Sequence, residues 1–121
     1  MATSELEVAV RRQDGVAVID LGGDLDASAE QALEAAYADA SRDGAHPVAL
    51  NFTRAGYINS TGIALIVGLL AQARARGIEM RAYGLSDHYR EIFEITRLAD
   101  FMTISDSEDG AASGAERGSD A

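Results

Sequence analysis

The alternation of strand-like and helix-like segments constrains the fold of this chain more than any other feature. Residues 6–11 alternate apolar and polar side chains, which is typical of a half-exposed strand, and the turn signal Gln13-Asp14-Gly15 follows. From there the pattern predicts strands at 16–21, 47–52, 78–83 and 101–104, and helices at 28–42, 60–76 and 86–96. Because strand–helix–strand units make parallel neighbours, we expect an α/β fold with a mixed, mostly parallel β-sheet packed with α-helices.

Glycines and turn residues predict where these elements end. Gly22-Gly23 is expected to end the second strand, Asp43-Gly44 the first helix and Gly77 the second helix. The short turn between the first two strands predicts an antiparallel hairpin. The helix 60–76 is apolar nearly all round at first, which indicates that its N-terminal half is packed into the core.

The length of 121 residues suits one domain, and the composition changes near its end. We predict a domain at residues 1–104. The tail 105–121 is acidic, is rich in Ser, Gly and Ala, and contains no large apolar residue. Such a segment cannot offset the entropy cost of ordering, so we expect it to be mostly disordered.

Composition excludes several classes of function. The net charge of −10 and the absence of Lys disfavour nucleic acid as a ligand, because a phosphate backbone would be repelled. No Cys is present, which excludes disulfides and thiolate metal sites, and His46 and His88 have no ligand-like neighbours. No signal peptide is recognised, and the longest apolar stretch, 63–71, is far shorter than a membrane span. We therefore expect a cytoplasmic protein with no metal, no cofactor and no membrane span.

The segment Asn59-Ser60-Thr61-Gly62 joins a predicted buried strand to a predicted buried helix. One hypothesis is structural: Asn59 or Ser60 caps the helix, and Gly62 lets two backbones approach. The other is regulatory: a phosphate on Ser60 adds roughly −1.5 to −2 charges. The helix dipole and the free N–H groups would tolerate that charge without unfolding the domain. The local sequence leaves both hypotheses open.

A second polar segment, Gly22-Gly23-Asp24-Leu25-Asp26, is predicted to follow the second strand and to precede the first helix. Loops at the same edge of an α/β sheet converge on one surface, so Asp24 and Asp26 are expected near Ser60. The alternative for Asp26 is a cap of the first helix, and capping does not exclude contact with a partner.

Both segments resemble motifs of one family, over residues 5–104. Gly23-Asp24-Leu25-Asp26 resembles the G-x-L-D motif of STAS domains (sulphate transporter and anti-sigma factor antagonist), and 59–63 resembles their D-S-[ST]-G-[LI] motif. The resemblance implies the STAS fold. It also implies an anti-anti-sigma factor, which is a transcription regulator and not an enzyme.

Stand-alone members of that family bind an anti-sigma factor that is also a serine kinase of the GHKL type, and so release a sigma factor. Phosphorylation of the first Ser of D-S-[ST]-G ends the binding, and a PP2C-type phosphatase restores it. That Ser is Ser60 here, with Thr61 as the secondary candidate. The surface expected to contact the partner comprises Asp24, Asp26, Asn59, Ser60, Thr61, Gly62 and the exposed face of the helix that they begin.

The chain departs from the family pattern at Asn59, where an Asp is usual, and in lacking a recognisable final helix after Ile104. Loss of the charge beside Ser60 makes a constitutive, non-phosphorylated binder one alternative. Another is a STAS subunit of a membrane lipid-transport ATPase complex. A third, a receiver domain or small enzyme, is disfavoured because 51–53 offers no acceptor Asp and no His or Lys lies near Ser60.

Overall fold

The computed structural model describes residues 6–42 and 47–105, and in them the chain forms one five-stranded sheet and three α-helices. The strands lie in the order β1-β2-β3-β4-β5; β1 pairs with β2 antiparallel, and all other neighbours are parallel. The predicted mixed, mostly parallel α/β fold is confirmed. The elements are β1 Glu7–Gln13, β2 Val16–Leu25, α1 Glu30–Ala40, β3 Val48–Ile58, α2 Ser60–Arg76, β4 Met80–Tyr83, α3 Asp87–Ile95 and β5 Thr103–Ser105.

Several predicted element ends are confirmed. Asp14 and Gly15 both adopt positive φ, 55° and 81°, as a two-residue hairpin turn requires, and they connect β1 to β2. Gly77 ends α2 in the left-handed conformation with φ 70°. The predicted stop of the first helix at Asp43-Gly44 lies outside the described residues. So does nearly all of the predicted disordered tail, while Ser105 is buried in β5.

The prediction that Gly22-Gly23 ends the second strand is wrong. β2 continues to Leu25, because β3 also continues beyond its predicted end, to Ile58, and the two strands stay paired. The pairing is irregular, with register shifts between Asp20 and Gly22 and between Gly23 and Leu25. Gly23 has a φ of 110°, which suits only glycine well. Asp24 therefore lies within a strand and not in a loop.

The apolar core lies between the sheet and the helices. Phe93 of α3 is fully buried, and its ring meets that of Phe52 edge to face at 5.8 Å between centroids. The buried residues of α2 extend along its whole length and include Ile66, Leu69 and Ala73. The predicted packing of its N-terminal half into the core is confirmed by the buried Gly62 and Ile66, and the C-terminal half contributes buried residues as well. The opposite face of α2 is exposed although it carries no charge between residues 60 and 73.

A polar network lies on the face of the sheet opposite the main core, and it predicts that the stability of the fold decreases in acid. Arg11 donates to the Asp20 carboxylate at 2.7 and 3.0 Å, and Asn51 Nδ2 donates to it at 2.8 Å. The Arg11 hydrogen bonds lower the pKa of Asp20 below its ordinary value of 3.8, against the opposing effect of burial. A lowered folded-state pKa stabilises the fold above the unfolded-state pKa, and this contribution is lost as the pH falls through the folded-state pKa.

Asp20→Asn is therefore expected to cost about 1 kcal/mol of unfolding free energy at pH 7, a value kept small because the pair is partly solvated. The difference from the unmodified chain should shrink as the pH falls from about 5 towards 2. Urea denaturation across that pH range measures it. Asp39→Asn, which removes a more exposed pair with Arg42, is the control and should show a smaller effect. A difference that stays constant with pH would contradict the assigned cause.

Candidate functional site

The first turn of α2 presents two exposed hydroxyls, on Ser60 and Thr61. The cap of the helix is Asn59, whose Oδ1 accepts a hydrogen bond from the Gly62 N–H at 2.9 Å. Among the described residues, no partner hydrogen-bonds to either hydroxyl. The capping hypothesis is thus confirmed for Asn59, and capping leaves the side chain of Ser60 unengaged.

Gly62 fixes this turn against the end of β2. A Cβ added at Gly62 would collide with the carbonyl oxygen of Leu25 and would lie 2.8 Å from its carbonyl carbon. The Asn59 N–H also donates to that carbonyl oxygen, at 3.2 Å. Gly62 is buried, so its contribution to the site is to position the two hydroxyls that precede it.

The two predicted carboxylates also have structural partners. Asp24 Oδ1 accepts a hydrogen bond from the Tyr57 N–H at 2.9 Å, which ties β2 to β3. Asp26 Oδ1 accepts from the Ser28 hydroxyl at 2.6 Å and from the Ser28 N–H at 2.9 Å, and these bonds lower the pKa of Asp26. Asp26 therefore caps the short 3-10 turn Ala27–Ala29 that precedes α1. The predicted cap of the first helix itself is wrong, because α1 begins after Ala29 and has no side-chain cap. Both carboxylates remain partly exposed.

The predicted convergence of the two segments is confirmed. Leu25 lies between Asp24 and Asp26 in the chain, pairs with Ile58 and packs against the first turn of α2. The carboxyl-terminal ends of β2 and β3 therefore bring both carboxylates to the edge of the sheet from which α2 begins.

Two tyrosines contribute to this site although neither was predicted as a site residue. Tyr57 is 67% exposed three residues before Ser60, and Asp24 holds its backbone. An exposed Tyr is a common anchor of protein interfaces. The hydroxyl of Tyr89 accepts a hydrogen bond from the Ile58 N–H at 2.9 Å and so ties α3 to the end of β3. The body of Tyr89 is half-buried and packs against the main core, to which Phe93, four residues later on α3, belongs.

Other kinds of site find no support in the part of the chain that the structure describes. No group of three or more His, Asp or Glu residues there is placed to hold a metal ion. None of the described helices combines the length and the apolar character needed to cross a membrane.

Comparison with known proteins identifies the family. The STAS domain model matches residues 7–111. The anti-sigma-B factor antagonist of Staphylococcus aureus is 31% identical over 101 residues, which are 84% of this chain and 94% of that protein. Among solved structures, an anti-sigma factor antagonist from Mycobacterium paratuberculosis matches with a TM-score of 0.75 at 20% identity, over 93% of this chain and 96% of its own.

SpoIIAA, an anti-sigma factor antagonist, matches in its unphosphorylated form with a TM-score of 0.67 and in its phosphorylated Bacillus form with 0.68, both at 23% identity. These matches cover 93% and 90% of this chain, and 98% and 99% of SpoIIAA. At such identities the solved structures support the predicted STAS fold, whereas the family model and the Staphylococcus relative carry the assignment to a family. The chain therefore belongs to the STAS domain family, among its anti-sigma factor antagonists.

Proposed function

We propose that this chain binds an anti-sigma factor that is also a GHKL-type serine kinase, and that this binding releases a sigma factor. Phosphorylation of Ser60 ends the binding, and a PP2C-type phosphatase restores it. The binding surface comprises Asp24 and Asp26, the segment 59–61, which the buried Gly62 positions, and the exposed face of α2. The chain acts in the cytoplasm as a regulatory binding protein and not as an enzyme.

The state of the Ser60 hydroxyl is the observation that carries this proposal. It is exposed at the start of α2 and makes no hydrogen bond with another described residue, because Asn59 supplies the cap. A phosphate can therefore be added without breaking a bond that holds the fold. The backbone N–H groups and the dipole at the helix start favour the added negative charge.

The added charge is expected to weaken the complex with the anti-sigma factor and to leave the fold unchanged. A kinase that modifies Ser60 brings the γ-phosphate of ATP to its oxygen; the O–P bond forms, the bond to the β-phosphate oxygen breaks, and the kinase accepts the hydroxyl proton. The new phosphoserine then faces the phosphates of ADP. Like charges in contact at an interface cost several kcal/mol, so the partners separate.

Asn59 is compatible with this switch. It accepts from the Gly62 N–H through Oδ1, the same bond that an Asp would accept, so the geometry of the first turn needs no carboxylate at this position. A neutral side chain next to Ser60 also adds no repulsion towards a phosphate.

The test is an intact-mass measurement after incubation with ATP and the kinase that this chain captures from its own organism. We expect a gain of one phosphate on the unmodified chain and on Thr61→Ala, and none on Ser60→Ala. A captured kinase that phosphorylates another substrate but not this chain would overturn the switch and favour a constitutive binder. Capture of a lipid-transport ATPase in place of a kinase would favour the transporter-subunit alternative.

A further inference from the structure

No contact within the described chain explains why position 68 is a glycine. It lies in the middle of α2 and is exposed, and a Cβ added to it would meet nothing within 4 Å. Glycine destabilises a helix interior relative to alanine because its backbone loses more freedom on folding. Gly62, in the same helix, is required by the close approach of Leu25. The open space above Gly68 therefore calls for an explanation outside the packing of the domain.

That space belongs to a hollow of about 210 Å³ between α1 and α2. This volume is many times the roughly 10–15 Å³ that one water needs, so it has room for one long side chain. The base is apolar, since Leu33 and Leu69 are buried and Leu65 is half-buried. The complete lining is Glu30, Leu33, Glu34, Ala64, Leu65, Gly68, Leu69 and Gln72.

The rim of the hollow carries negative charge. Glu30 and Glu34 are exposed and four residues apart on α1, so they lie on the same face of that helix. Among the described residues, no Arg or His forms an ion pair with either of them. An apolar base under two carboxylates complements a Lys or Arg side chain, whose aliphatic stem packs on apolar surface while its charged end stays at the rim.

The hollow is continuous with the surface around Ser60. Ser60, Ala64, Gly68 and Gln72 are spaced four apart on α2 and form one exposed row along the helix. At about 1.5 Å per residue, Gly68 lies roughly 12 Å along the helix axis from Ser60. A partner seated over Ser60 therefore also covers the hollow.

We propose that the hollow over Gly68 receives a Lys or Arg side chain of the anti-sigma factor, as a second anchor of the complex beside Ser60. This inference rests on the proposed function. The net charge of −10 favours a basic partner over a second copy of this chain, because two copies would bring like-charged rims together. The glycine leaves the space that the stem of the cationic side chain fills.

The experiment measures affinity for the captured kinase and the Michaelis constant for phosphorylation of this chain. We expect Gly68→Gln, which fills the hollow, to weaken binding at least tenfold and to raise KM with little change in kcat, because Ser60 is untouched. The double variant Glu30→Gln/Glu34→Gln should weaken binding about threefold to tenfold and reduce its salt dependence. Glu91→Gln/Glu94→Gln, on exposed positions of α3 outside the hollow, is the matched control and should bind normally.

Three results would overturn the inference, and each leads to a different conclusion about the partner. If the unmodified chain binds the kinase and Gly68→Gln binds equally well, the hollow is not an anchor and the proposed function stands. If the unmodified chain does not bind the kinase, both proposals fail. If sedimentation shows a dimer that Gly68→Gln dissociates, the occupant is a second copy. Thermal unfolding of each variant verifies that the fold is retained.

Discussion

Ser60→Glu is expected to lower the affinity for the anti-sigma factor by about 100-fold, whereas Ser60→Ala should bind as tightly as the unmodified chain. Under the proposed switch, a carboxylate at this position places negative charge and bulk opposite the nucleotide phosphates of the kinase. Juxtaposed like charges at an interface cost several kcal/mol, and about 2.7 kcal/mol corresponds to 100-fold in the dissociation constant. Isothermal titration with the kinase and ADP measures the difference.

The fold itself should not change in Ser60→Glu. Ser60 is exposed and makes no hydrogen bond with another described residue, and an acidic residue in the first turn interacts favourably with the helix dipole. Unfolding free energies are therefore expected to agree within about 0.5 kcal/mol. Thr61→Glu places the same charge on the next exposed residue and should have a smaller effect on binding. Equal affinities of Ser60→Glu and the unmodified chain would overturn the switch.

Gly62→Ala is expected to have the largest effect on stability, a loss of about 3 kcal/mol or more. The added methyl group would overlap the carbonyl of Leu25, which the pairing of β2 with β3 holds in place. Inserted atoms in a packed interior typically cost about 1–3 kcal/mol, and here the obstacle is backbone that cannot rotate away. Thermal and urea unfolding measure the loss, which should lower the melting temperature by more than about 10 °C.

Gly68→Ala provides the matched control for that experiment. It makes the same substitution in the same helix, at a position where the new methyl group meets nothing within 4 Å. Alanine at an exposed helix position is more stable than glycine by about 0.5–1 kcal/mol, so this variant should melt a few degrees higher. A similar loss of stability in both variants would show that helix propensity, and not the contact with Leu25, governs the two positions.

The order and type of the elements could be predicted from sequence because both depend on local patterns. Apolar residues at period 2 or at helical spacing are visible within a few residues, and so are turns such as Asp14-Gly15 and helix ends such as Gly77. The polar segments at Asp24 and Ser60 were recognisable as the candidate site because parallel strands place their carboxyl ends at one edge. Phosphorylation of Ser60 and its contact with a partner stay predictions.

Other features depended on residues far apart in the chain. β2 runs through its glycines because β3 pairs with it as far as Ile58, and no local signal reports that pairing. The sequence offered Asn59 or Ser60 as the cap of α2. Only the packing of the first turn against Leu25 assigned the cap to Asn59 and left the Ser60 hydroxyl exposed.

Sequence by itself thus determined the class of fold, the family and the segment that carries the candidate site. Tertiary structure alone decided which face of the largely uncharged α2 is buried, because an apolar pattern all round a helix does not indicate where its neighbours lie. For the same reason Gly62 and Gly68 look alike in the sequence. Leu25 packs closely against Gly62, whereas Gly68 faces open space. The burial of a residue depends on what packs against it and not on the residue itself.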